Sequence, residues 1–153
     1  MLSRDACFLV FSQSKEVARD LSSWDAHAAR FFATRLHAGE GDAIVVAHAS
    51  DASEARRVSG RARDEEDLAL ADAAEARAGG GLGLLAHRCP TVWLVERRGE
   101  SDAAALRLAA ILAGVLLGPI LDARVPELLG VKTARVRLSG GAVRGPSGMT
   151  RMR

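Results

Sequence analysis

Few residues in this chain offer a direct route to a function. Cysteine occurs twice in 153 residues, as Cys7 and Cys89, in neither a CxxC pair nor a cysteine–histidine metal spacing. A disulfide framework is therefore not supported, and both thiols read as small core residues beside buried strands. His27, His37, His48 and His87 fall in no HExxH or other metal-ligating pattern, so no metal and no cofactor is implied. Lysine is nearly missing as well, with only Lys15 and Lys132. The basic charge is carried by arginine and alanine is abundant, which reads as the codon bias of a GC-rich genome rather than as an arginine-specific function.

Other absences narrow the function classes. The net charge of +2 is too small to argue for nucleic acid from the whole chain. Acidic residues stop at Glu127, and Lys132, Arg135, Arg137, Arg144, Arg151 and Arg153 follow. That basic end has no aromatic side chain on which a base could stack, which argues against nucleic acid and for a solvated edge and tail. A P-loop and a GxSxG elbow are absent. The apolar run at 6–11 is too short for a signal peptide and meets polar residues 12–16 at once, so a cytoplasmic setting is expected. Residues 103–121 approach the length of a membrane span, but Arg107 and Pro119 interrupt the run, and a core helix is expected instead.

What remains is a pattern. Apolar residues make up 48% of the chain and charged residues 26%, which is ordinary globular composition and enough to bury one core. Short apolar runs at 7–11, 43–47 and 91–95 read as strands. Between them, residues 14–37 repeat apolar side chains at spacings of three and four, with Ser14 as N-cap and Gly39 as stop. Residues 50–78 read as a broken helix interrupted at Ser59-Gly60, and 82–87 as one further helical turn. Residues 102–121 read as a third helix, in which Gly114 and Gly118 permit close packing, and 133–138 alternate as an edge strand. The expectation is an α/β fold: a single-domain, three-layer architecture with a mostly parallel four-stranded sheet flanked by helices. The domain would span 1–138, followed by a flexible basic tail over 139–153.

A parallel sheet would gather its strand exits into one crevice. Ser12, Gln13 and Ser14 would meet His48, Ser50 and Asp51 there, with Glu96, Arg97 and Arg98 alongside. Ser12, Ser14, Ser50, Asp51 and Arg97 are the expected ligand-binding residues for a small anion, and His48 is the candidate for acid–base chemistry. The segment Gly81–Ala86 fits the GxGxxA form of the dinucleotide fingerprint. It follows an alanine-rich helix rather than a strand, and Pro90 cuts it short, so helix termination explains it better. His87 and Cys89 suggest a thiol–imidazole pair, but nothing nearby would lower the thiol pKa.

Two functions compete. The first is a protein-interaction or assembly module that self-associates into a homo-oligomer, through the apolar 103–121 helix or through an edge strand. The second is a small-molecule or phosphate-ligand enzyme using the strand-end crevice. The sequence favours the first narrowly, because no nucleophile–base–orienter set can be read from it.

Overall fold

The computed structural model describes residues 2–48, 52–98 and 102–143. After a 3-10 turn at Arg4–Ala6, the chain forms β1 (Cys7–Ser12), α1 (Leu21–Phe32), β2 (Thr34–Ala38), β3 (Ala43–His48) and β4 (Glu54–Ala62). Then come α2 (Glu65–Ala78), α3 (Leu82–His87), β5 (Thr91–Glu96), α4 (Ala103–Leu116), β6 (Ile120–Asp122), β7 (Glu127–Leu129) and α5 (Val131–Val143). The seven strands form one sheet in the order β2-β3-β4-β5-β1-β6-β7. Every neighbouring pair is antiparallel. The fold is mixed α/β and single-domain, but the expected mostly parallel four-stranded sheet is wrong.

The error begins at 50–78. Glu, Ala and Arg are good helix formers, yet Glu54–Ala62 is a strand wedged between β3 and β5. Arg56 and Val58 turn inward, and Gly60 lies under an indole: a Cβ there would sit 2.8 Å from Trp93 Cε2. Pairing on both sides outweighs helical propensity here. With β4 and β5 between them, β3 and β1 are not neighbours, and the parallel pairing expected of the sheet is absent.

The long helix expected over 14–37 is also shorter. Asp20, not Ser14, caps it: its carboxylate accepts the Ser23 N–H at 3.2 Å. Ala33 adopts a left-handed conformation with φ 49°, which ends α1 and reverses the chain into β2. Phe32 and Leu36 are four apart, a spacing that fits a helix as well as the alternation of Thr34 and Leu36 toward the core. At the other end of the chain the reverse occurs. The alternation over 133–138 belongs to α5, where Ala134 and Leu138 face the core four residues apart and Val136 is left exposed. Residues 139–143 continue that helix, and residues 144–153 of the expected tail lie outside the described ones.

Helices cover both faces of the sheet. Under α1, α4 and α5 lies the larger core, which includes Phe8, Val10, Trp24, Trp93, Val95 and Ile111. Under α2 and α3 lies a smaller one with Cys7, Leu9, Phe11, Cys89 and Leu94. Nine residues of α4 are buried. The helix stops at Leu117, in a left-handed conformation with φ 62°, and Gly118 passes against β1. Among the described residues no helix is long and apolar enough to cross a membrane.

Candidate anion-binding cleft

His48 ends β3 and pairs across the sheet with Thr34, the first residue of β2. The Thr34 hydroxyl donates to the Phe32 carbonyl at 2.8 Å, and its oxygen lies 3.0 Å from His48 Nδ1. With its one proton committed to Phe32, the hydroxyl accepts from Nδ1–H, which orients the imidazole ring. His48 lines a cleft of about 480 Å³. The last turn of α1 contributes Arg30, Phe31 and Phe32, α4 contributes Arg107, and α5 contributes Arg135, Leu138 and Ser139. Behind it, a space of about 20 Å³ lies between Glu54, His48, Arg107 and the start of α4. His48 and Arg107 wall both spaces.

Three arginines and one histidine thus line one cleft, brought in by α1, β3, α4 and α5. The described lining of the larger cleft holds no Asp or Glu. Arg135 is oriented by its 2.6 Å hydrogen bond to the Phe31 carbonyl and by stacking 4.5 Å over the Phe32 ring. The Arg30 guanidinium lies 5.1 Å from the Phe31 ring. Nearby His27 is held below its ordinary pKa, first by burial and then by the Arg135 charge. Glu54, on the wall of the smaller space, is engaged by Arg56 at 2.5 Å.

The residues expected from sequence are scattered. Ser12 lies at the opposite end of the sheet from His48, paired with Thr91, and its buried hydroxyl accepts the Ser14 N–H. Ser14 accepts the Glu16 N–H in turn. Arg97 follows β5 at the His48 end, but its side chain is only 8% exposed. It pairs with Asp102 at 2.5 Å and Asp122 at 2.9 Å, and lies 4.1 Å over the Phe8 ring. Ser50 and Asp51 lie outside the described residues. Antiparallel pairing thus removes the crevice shared by the strand exits, because β1 and β5 exit at opposite ends of the sheet. Of the described members of the set, only His48 lines the cleft.

Arg30, Arg107 and Arg135 were not anticipated. Arg107 carried a readable signal: it is the one charged residue in Ala103–Leu116. The glycine fingerprint has an internal explanation. Gly81 and Gly83 donate their N–H groups to the Glu75 carboxylate at 3.0 and 2.8 Å, so the amino end of α3 already holds an anion of its own chain. Those two bonds keep the Glu75 pKa below its ordinary value. His87 binds Asp72 on the surface at 2.8 Å, while Cys89 is buried with its thiol toward the Leu85 carbonyl, so the two make no catalytic pair. Burial pushes both thiols, Cys7 and Cys89, up to about 11. Among the described residues no cluster of three His, Cys, Asp or Glu side chains could hold a metal ion. The chain matches no protein-family model, no curated protein and no solved structure.

Proposed function

We propose that the protein is a binding module for a small anion, a phosphate or a carboxylate, seated in the cleft between His48, Arg107 and Arg135. The observation that carries this reading is the convergence of three arginines and a histidine, from four separate elements, on one cleft whose described lining is free of carboxylates. A bound phosphate or carboxylate would accept charge-assisted hydrogen bonds from guanidinium forks lining the cleft. The described lining supplies donors and one hydroxyl, Ser139, which favours binding over bond-making chemistry.

Self-association is less favoured by the surfaces it would use. The apolar side chains of α4 are spent on the core. At the β2 edge, the Leu36 N–H is already taken by Asp25 at 2.8 Å. Titration with inorganic phosphate and acetate, followed by thermal unfolding, tests the anion reading. A ligand at one hundred times its dissociation constant adds about 2.7 kcal/mol of stability. The shift is expected to shrink in Arg107→Gln and Arg135→Gln. No shift with either anion, or an equal shift in both variants, rules the site out.

A further inference from the structure

We propose that His27 is a proton-operated latch between α1 and α5: uncharged, it lets the two helices close, and charged, it opens them while α5 stays tethered to β7. The latch operates whether or not an anion fills the cleft. His27 is half-buried on α1, where that helix meets α4 and α5. Its ring lies 4.7 Å from that of Phe31 and 6.1 Å from that of Phe32. Gly114 of α4 makes the recess, since a Cβ there would stand 2.6 Å from His27 Nε2. Arg135 crosses from α5 to the same two phenylalanines, donating to the Phe31 carbonyl at 2.6 Å and stacking over the Phe32 ring. Imidazole and guanidinium thus share one aromatic seat.

That seat suits a neutral ring. Among the described residues no hydrogen bond or ion pair engages the His27 imidazole. From α5 it meets Arg135, with Lys132 one turn earlier, and α1 carries Arg30 one turn on. From α4 it meets Gly114, and the one charged residue of that helix, Arg107, lies two turns away. Asp25, the one acid of α1, is spent on Arg35 and the Leu36 N–H. Burial and the Arg135 charge therefore both disfavour an imidazolium. The apolar hold on α5 is slight: Ala134 is buried, and Val131 and Leu138 are only partly so. Arg137 pairs with Glu127 of β7 at 2.5 Å, and it keeps the Glu127 pKa below its ordinary value, so that tether outlasts the protonation of a histidine. Acid loosens one contact of α5 and spares the other, which moves Arg135 on the wall of the His48 cleft.

Amide hydrogen exchange and histidine NMR titration of the full chain test this. Amides of α5 should exchange through a local opening, with less protection than those of β1 and β5. Corrected for the intrinsic exchange rate, the population of that opening should rise about threefold or more between pH 7.5 and 5.5, with a ceiling of about tenfold for one histidine. The His27 midpoint should lie below about 6.5 and rise in Arg135→Gln. In His27→Gln, which cannot take up the proton, the opening should no longer respond to pH over this range. Protection of α5 equal to that of β1 and β5 overturns the latch, because α5 would then open only with the whole domain. So does an α5 opening that ignores pH in the parent, or one that responds as strongly in His27→Gln. A response that survives in His27→Gln and vanishes in His48→Gln gives the switch to His48 and overturns the assignment. Should His27→Gln not fold, a His27 midpoint at or above about 6.5 in the parent overturns it as well.

Discussion

Single residues set how closely the layers approach. Gly118 sits where a Cβ would fall 2.0 Å from the Phe11 carbonyl oxygen, in a segment where the Phe11 N–H donates to the Pro119 carbonyl at 2.9 Å. That obstacle is backbone in the middle of the sheet and cannot swing aside. Gly118→Ala is therefore expected to cost about 3 kcal/mol, read as a lower urea midpoint with an unchanged slope. Gly114 is the control. Its added methyl would meet only the His27 ring, at 2.6 Å from Nε2, and a side chain can turn. Gly114→Ala should cost well under half as much, and a loss equal to that of Gly118→Ala would contradict this account. Both glycines were legible as sites of tight packing. That Gly118 packs against β1, outside the helix, was not, because nothing local reveals where α4 ends.

At the scale of elements, the edge strand β2 is guarded by the helix before it. Asp25 on α1 receives two bonds from Arg35, at 2.9 and 2.7 Å, besides the Leu36 N–H. The Arg35 fork and the Leu36 amide together hold the Asp25 pKa down to about 2. Asp25→Ala should cost about 1–2 kcal/mol and free an edge N–H for pairing with another chain. Light scattering of the variant should then show stronger concentration-dependent association than the parent. A variant that stays as monodisperse as the parent would refute the guarding role. The same elements show why 34–38, 54–62 and 133–143 were misread. A four-residue apolar spacing serves a helix face, and it serves alternate positions of a strand equally well. The partner that decides between them lies outside the segment itself: β3, across a four-residue turn, for β2, and the more distant β5 and α4 for β4 and α5.

For the molecule as a whole, carboxylates held by arginine or backbone amides tie distant segments together. Burial disfavours the ionised form of Asp67, but Arg61, the Asp64 N–H and Arg4 outweigh it and keep the Asp67 pKa below its ordinary value. Asp25 and Glu127 are held low chiefly by Arg35 and Arg137, respectively. Arg97 does the same for Asp102. A carboxylate whose pKa is lower in the folded chain contributes stability that is complete above its unfolded pKa and lost as pH falls through its folded value. Stability should therefore begin to fall below about pH 6.5, where His27 gains its proton more readily on unfolding, and decline more steeply from about pH 4 downward. Urea midpoints across that range check it, and a midpoint that holds into strong acid would contradict it.

By itself, the sequence determined that one globular α/β domain forms. It marked strands at 7–11, 43–47 and 91–95, each one residue short of the observed element, and it placed His48 at a strand exit, because apolar runs and their periods are local quantities. Only the tertiary structure decided the strand directions, the identity of β4 and the gathering of Arg30, Arg107 and Arg135 around His48. Those depend on backbone pairing and helix packing between segments far apart in the chain, where each partner supplies the hydrogen bonds and buried surface that local propensity lacks.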